Sequence, residues 1–342
     1  MSWLVVGSGS SGEPWWISLI KAVIVINLVL FGFAYLTLIE RKVMGRMQLR
    51  YGPNRVGPFG TLQPIADLVK LIRKESFFPA AAIDVLYILG PFLAAFTAMT
   101  TFSVIPWGPG WTIGGYEVTG YVADVPIALL LIFAIGSLGI YGFIIGGWAS
   151  DSKFALLGSM RTCAQLVSYE VSLALSVLGV VIMAKSLSLV DIVAAQASDV
   201  WYVIPQIVGF AIFILAGTAE TARAPFDLPE AEQELVAGYH TEYSSMSFAL
   251  FFMAEYINMV TVSAVATDLF LGGWHGPFLP ESLGWIWFLL KVSAILFFYV
   301  WMRWTLPRYR YDQLMRFGWK VLLPIAVINL LVTAAGVLYF GL

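Results

Sequence analysis

The sequence is poor in charge and in metal-ligating side chains. Charged residues make up 12% of the 342 residues, and the chain contains one cysteine and two histidines. Soluble domains are about a quarter charged, so an ordinary soluble or disordered class is excluded. The lone Cys163 excludes an internal disulfide and any cysteine-held zinc or iron–sulfur centre. His240 and His275 match no metal-ligand spacing. We therefore expect no metal or flavin in this chain.

Hydrophobic residues instead account for 60% of the chain, and the mean hydropathy is +0.84. Crossing a hydrocarbon layer of about 30 Å takes about 20 helical residues. Eight apolar stretches are this long, near 17–39, 82–105, 122–148, 161–184, 203–221, 245–269, 284–305 and 320–341. We predict an all-α polytopic membrane protein with eight transmembrane helices. No linker or internal repeat divides it, so residues 1–342 read as a single integral membrane domain.

Positive charges are concentrated on one side of the predicted spans. Sixteen of the 19 lysines and arginines lie in or beside the odd-numbered connections. The positive-inside rule places these connections in the cytoplasm and both termini outside. The predicted regions are an outer tail (1–16), a first cytoplasmic loop (40–81) and an acidic cytoplasmic loop (222–244). A G-x-G-x-x-G pattern in the tail lacks a βαβ unit around it, so we expect neither nucleotide nor nucleic acid to bind.

The first cytoplasmic loop contains one amphipathic segment, near residues 60–75. Five apolar residues recur at helical spacing, namely Leu62, Ile65, Ala66, Val69 and Ile72. Such a helix is too short to cross the bilayer, and its basic face suits the headgroup region, so we predict an in-plane helix on the cytoplasmic side. Two roles stay open. The helix is either a surface anchor or one edge of an opening through which an apolar ligand enters from the bilayer, with Asp67 turned inward.

Four ionisable residues lie inside predicted spans, where burying a charge is costly. They are Glu170, Glu220, Glu255 and Lys291. Any one of them fits a structural salt bridge. Two more charged residues, nearer span ends, fit snorkelling to the interface: Lys21 and Asp268. Taken together, the three carboxylates and the lysine indicate a buried chain of titratable groups, which proton movement requires.

The connection after the fifth span is rich in acidic residues. Its sequence, ETARAPFDLPEAEQELVAGYHTEYS, contains six carboxylates and a single arginine, Arg223. Pro225, Phe226 and Pro229 interrupt the polar run and favour a packed backbone over a solvated loop. Acids held rigidly beside a hydrophobic cavity respond to a charge that appears in it. This segment is therefore a candidate coupling element.

Four segments carry a family resemblance: ERKVMGRMQLRYGPNRVGPFG, LQPIADLVKLIRKE, the acidic connection above and RYRYDQLMRFGWK. Together they resemble the H-type membrane subunit, also called subunit 1, of the proton-translocating NADH:quinone oxidoreductase, respiratory complex I. The resemblance implies a subunit that forms the quinone chamber and its entrance and couples quinone reduction to proton translocation. It also implies a ubiquinone or menaquinone substrate and a bacterial cell membrane, with the mitochondrial inner membrane as the alternative.

The implied partners complete the chemistry that this chain lacks. Peripheral-arm subunits would carry the iron–sulfur clusters and the quinone headgroup site, while small and antiporter-like subunits would adjoin it in the bilayer. No residue of this chain is implied to be catalytic by itself. By motif position the quinone chamber would be lined by Glu40, Arg41, Asp67 and Arg303. The proton path would comprise Tyr169, Glu170, Glu220, Arg223, Asp227, Glu230, Glu232, Glu255 and Lys291.

Two positions depart from the family pattern. Some relatives carry a further carboxylate in the third span, where this chain has Gly136, Ser137 and Leu138, so a side-chain hydroxyl or an ordered water would have to bridge that stretch. Ala222 stands where many members carry asparagine. Two other functions remain open: the equivalent subunit of a membrane-bound hydrogenase or ferredoxin-linked complex, and an autonomous proton-coupled transporter. The missing internal repeat argues against the transporter.

Overall fold

The structure, a computed structural model, describes residues 13–198, 200–227, 237–278 and 280–340. Most of the predicted outer tail, 1–12, and the middle of the predicted acidic loop, 228–236, lie outside these residues. The α-helices are α1 (Trp15–Met47), α2 (Gln63–Arg73), α3 (Asp84–Thr101), α4 (Ala128–Ala149), α5 (Lys153–Ala184), α6 (Leu189–Ser198), α7 (Ile207–Glu220), α8 (Ser245–Phe270), α9 (Gly284–Thr305), α10 (Tyr311–Phe317) and α11 (Leu323–Phe340). A hairpin of β1 (Trp111–Ile113) and β2 (Tyr116–Val118) lies between α3 and α4. A π-helical segment, Gly318–Leu322, joins α10 to α11.

Seven helical units in the described part of the chain are long and apolar enough to cross a membrane. They are α1, α3, α4, α5, α8, α9 and the continuous unit Tyr311–Tyr339. The prediction of a helical, multi-pass membrane protein is thereby confirmed. The predicted span 203–221 corresponds to α7, which has 14 residues. At 1.5 Å per residue it is about 21 Å long, short of the hydrocarbon thickness. The count of eight therefore stays a prediction.

Two local features differ from the predicted layout. Helix α1 continues to Met47, so Glu40 and Arg41 lie on a helix although they were placed at the start of a loop. Charged residues end an apolar run, but glutamate, arginine and lysine are good helix formers and do not end a helix. The two-stranded hairpin was also unexpected. Its strands are joined at Gly114 and Gly115, whose positive φ angles of 60° and 87° suit a tight hairpin turn.

The amphipathic segment forms the helix α2, Gln63–Arg73, with Pro64 in its first turn. None of its residues is fully buried, and Ile65, Leu68 and Ile72 are exposed. A helix predicted near 60–75 is therefore present. Its position in the plane of the membrane stays a prediction.

The helices pack around α5 and α8. Helix α5 contacts α4, α7 and α11, while α8 contacts α3, α7, α9 and α1. The pair α3 and α4 approaches closely at glycines, since a Cβ on Gly90 would lie 2.9 Å from the backbone of Gly146. Small residues permit such close contact between membrane helices. The two central helices carry Glu170 and Glu255, so the fold places these acids in its interior.

Candidate functional site

A cluster of charged side chains surrounds Glu40, which is only 3% exposed. Its carboxylate pairs with Arg223 at 3.1 Å and also with Arg303. The Tyr256 hydroxyl donates to it at 2.7 Å. The contributing residues come from α1, α8, α9 and the loop after α7. A buried carboxylate is costly unless it is paired and hydrogen-bonded, and Glu40 meets both conditions.

Arg223 connects Glu40 to a second buried carboxylate. Its Nη1 pairs with Glu40, while its Nε lies 2.6 Å from Oε1 of Glu255. Its guanidinium also stacks 4.0 Å from the centre of the Tyr256 ring. Burial acts to lower the pKa of Arg223, but Glu255, Tyr256 and Glu40 raise it above its ordinary value. Arg223 therefore stays charged and is shared by two acids, an arrangement that a planar guanidinium with several donors permits.

Two cavities continue from Glu255 into the bundle. The smaller, about 20 Å³, is lined by both Glu255 and Glu220. The larger, about 70 Å³, is lined by Glu220 and extends between α4, α5, α7 and α8. A cavity of about 10–15 Å³ or more with polar walls accommodates a water molecule. The space between the two acids is therefore large enough for water.

Glu170 on α5 is the next acid beyond Glu220 in the bundle. The two carboxyl groups interact electrostatically. The Ser137 hydroxyl on α4 makes a short hydrogen bond to Glu170 and lies 2.9 Å from the Phe133 carbonyl. A hydroxyl has one hydrogen, so it donates to an ionised Glu170, or donates to Phe133 and accepts from a protonated Glu170. Ser137 therefore contacts Glu170, and whether this hydroxyl bridges the stretch stays a prediction.

Ala222 lines the smaller cavity and has a positive φ of 51°. This left-handed conformation is unfavourable for most side chains but is adopted more readily by asparagine. The backbone itself is thus compatible with the asparagine that the family resemblance implies at this position. In this chain the methyl group of Ala222 leaves that wall of the cavity without a hydrogen-bonding group.

Two predicted acids of the site make ion pairs outside the cluster around Glu40. Asp67 on α2 pairs with Arg41 at 2.7 Å, and both side chains are partly exposed. Asp227 pairs with Arg308 at 3.0 Å. These two acids are therefore held by arginines of their own and do not share Arg223.

Tyr169 also makes a separate contact. Its hydroxyl donates to the Leu314 carbonyl at 3.0 Å, so it engages the α10 segment rather than a carboxylate. Two other predicted site residues, Glu230 and Glu232, lie outside the described residues.

Lys291 is not brought together with the three acids. Its Nζ donates to three backbone carbonyls beyond the end of α8 at 2.5–2.9 Å, those of Leu271, Gly273 and His275. There it interacts with Asp268, about 20 Å along the helix from Glu255. The lysine therefore lies at a separate buried position, at the carboxyl end of α8.

The snorkelling interpretation was wrong for both residues to which it was applied. Asp268 is fully buried. Lys21 is 6% exposed and pairs with Glu13 at 2.8 Å. Each side chain is thus held inside the protein and does not reach the membrane interface.

Two residues of the site were missed in the sequence, Tyr256 and Asn258. Both follow Glu255 on α8, and Asn258 lies three positions after it, on the same helix face. Asn258 lines both cavities. Their proximity to a glutamate inside a span was the available signal, but neither side chain is charged, so neither stood out.

Comparisons with known proteins show the family to which the sequence belongs. A family profile described as NADH dehydrogenase matches residues 20–334. The chain belongs to this family. It is 53% identical over 317 residues to an H-type subunit of NADH-quinone oxidoreductase from Geobacter metallireducens, covering 93% of this chain and 95% of that protein. It is 50% identical over 321 residues to an H-type subunit of the same enzyme from Syntrophobacter fumaroxidans, covering 94% and 96%. The family predicted from the four motifs is thereby confirmed.

Proposed function

We propose that this chain is the membrane subunit of a proton-translocating NADH:quinone oxidoreductase. In this proposal it forms the quinone chamber and its entrance and couples quinone reduction to proton translocation. The family membership supports the enzyme. The observation that carries the coupling role is the line of buried groups from Glu40 through Arg223 to Glu255, continued by the cavities to Glu220.

The shared arginine suggests how charge in the chamber is transmitted. Reduction of a quinone near Glu40 creates negative charge and draws protons from nearby groups. The same negative charge makes uptake of a proton by the Glu40 carboxylate more favourable. A protonated Glu40 attracts Arg223 less, so that Arg223 pairs more strongly with Glu255. Two unit charges 4 Å apart interact by about 4 kcal/mol at an effective dielectric constant of about 20, enough to shift a proton equilibrium. The linkage is reciprocal, so protonation of Glu255 also alters the site at Glu40.

The proposed setting is a bacterial cell membrane with both termini outside and the odd-numbered connections in the cytoplasm. Helix α2 lies along the interface, near the Arg41–Asp67 pair, at the entrance for the quinone. Helix α7 serves as the eighth span. It packs against α5 and α8, and non-helical backbone next to a short helix is tolerated at membrane depth where protein buries it. Peripheral-arm subunits supply electrons, and antiporter-like subunits receive the signal.

Glutamine substitution tests the role of the acids. Glu220→Gln and Glu255→Gln keep the side-chain shape but remove the ability to exchange a proton. In membranes containing the complete complex, each variant should lose NADH-driven quinone reduction and proton uptake together. Electron transfer from NADH to a soluble artificial acceptor should survive, because it needs only the peripheral arm. Glu117→Gln, on the exposed strand β2, is the matched control and should leave both rates unchanged.

Full coupled turnover in both glutamine variants would refute the proposed path. Purification separates the enzyme from an autonomous transporter. A subunit of this complex should be isolated with flavin and iron–sulfur absorbance from its partners, whereas a transporter should be stable alone.

A further inference from the structure

The line of buried groups has a gap between Glu255 and Glu220. No hydrogen bond or ion pair between described residues joins these two carboxylates. Glu255 pairs with Arg223, and Glu220 lies beyond the smaller cavity, which both acids line. Protons move over hydrogen-bonded contacts, so any transfer between the two acids needs something in this gap that can both donate and accept a hydrogen bond.

Two neutral polar side chains line both cavities, Thr221 and Asn258. Thr221 donates its single hydroxyl hydrogen to the Thr218 carbonyl at 3.1 Å, within its own helix segment. Thr162, which lines the smaller cavity, similarly donates to the Gly158 carbonyl at 2.9 Å. The Asn258 amide makes no hydrogen bond to a described residue. Among these groups, the Asn258 amide is therefore the one without such a partner in the described part of the chain.

We infer that Asn258 is a positioning residue that holds water between Glu255 and Glu220. This inference rests on the proposed function and deepens it. The amide has two N–H donors and a carbonyl acceptor but does not titrate, so it orients a water molecule without trapping the proton. A proton leaves the Glu255 carboxyl for this water, and the water passes a different proton to the Glu220 carboxylate. Charge and atoms balance, and no electron is transferred.

The position of Asn258 on α8 explains why it suits this role. Residues three apart on a helix share a face, so the Asn258 and Glu255 side chains project to the same side. The smaller cavity, about 20 Å³, exceeds the roughly 10–15 Å³ needed by one water. Bulky apolar residues, Phe143 and Leu166, form other parts of its wall. The Asn258 amide thus gives this wall a group that can orient the water.

The test replaces Asn258 in the complete complex. Asn258→Leu is nearly isosteric and removes every hydrogen bond, Asn258→Ala removes the amide without adding bulk, and Asn258→Gln restores the amide. Val260→Ala is the matched control, because Val260 is a partly buried residue of the same helix that lines neither cavity. We expect quinone reduction coupled to proton uptake to fall about tenfold in the leucine and alanine variants, the equivalent of one net hydrogen bond of about 1.4 kcal/mol.

A second measurement distinguishes positioning from packing. The ratio of rates in H₂O and D₂O should rise in Asn258→Ala and return towards the parent value in Asn258→Gln, whereas Val260→Ala should not change it. Assembly is checked by electron transfer to an artificial acceptor and by native electrophoresis. If the Asn258→Leu complex fails to assemble, the rates and the isotope ratio of Asn258→Ala provide the test. Parent rates and an unchanged isotope ratio in Asn258→Ala would overturn the inference.

The acidic variants show which proposal has failed. Loss of coupling in Glu220→Gln and Glu255→Gln, with unchanged turnover in Asn258→Ala, would remove the role of Asn258 and leave the proposed function intact. Full turnover in all three would remove both.

Discussion

Replacing Arg223 by glutamine removes a charge that two buried carboxylates share. Arg223 is 4% exposed and lies 3.1 Å from Glu40 and 2.6 Å from Glu255. Arg303 still pairs with Glu40 in the variant, but Glu255 makes no second ion pair within the described residues. Removing one partner of a buried pair costs about 3–5 kcal/mol, because the other charge stays buried and uncompensated. Domains are stable by about 5–15 kcal/mol, so we expect a severalfold lower amount of assembled complex.

A double-mutant cycle isolates the interaction. Arg223→Gln and Glu255→Gln each leave one unbalanced charge, whereas the double variant leaves none. The amount of complex on native gels and the thermal midpoint of the purified complex should therefore be higher in the double variant than in Arg223→Gln. Arg310→Gln is the matched control. Arg310 is 81% exposed and its nearest acid is 3.7 Å away, and exposed pairs contribute at most about 1 kcal/mol.

The double variant decides the outcome. If the losses of the two single variants simply add, the arginine and Glu255 are not energetically coupled, and the reasoning from the 2.6 Å contact is wrong. A wild-type midpoint for Arg223→Gln would refute it equally.

Three other predictions test separate parts of the structure. Ser137→Ala removes the hydroxyl that contacts Glu170 and should slow coupled quinone reduction about tenfold; an unchanged rate would show that the contact is dispensable. Burial lowers the pKa of His240 from 6.5 to about 4, so the folded state holds it neutral and stability should fall as pH drops from about 6.5 to 4, by on the order of 3 kcal/mol in all. The thermal midpoint of His240→Gln should depend less on pH over that range, and parallel curves would contradict this. A reporter at the C-terminus that is active only outside the cytoplasm should give signal, and a cytoplasmic signal would reverse the orientation.

The sequence by itself determined the class of protein and the family. Apolar runs are a local property, and a helix needs about 20 such residues to cross a bilayer, so seven of the eight predicted spans correspond to long apolar helices in the structure. The four motifs, which include those around Glu40 and Arg223, were sufficient to identify the family. The cost of burying charge also singled out Glu170, Glu220 and Glu255 without any knowledge of the fold.

Only the tertiary structure decided which of these groups meet. Glu40 and Arg223 are 183 positions apart, and Glu40 and Arg303 are 263 apart, so their pairing follows from helix packing that local patterns do not encode. The same packing placed Lys291 against the backbone carbonyls that follow α8 rather than with Glu255, although both residues stand in apolar helices. Hydropathy specifies that a helix enters the membrane, whereas rotation about its axis and its neighbours decide which side chains touch.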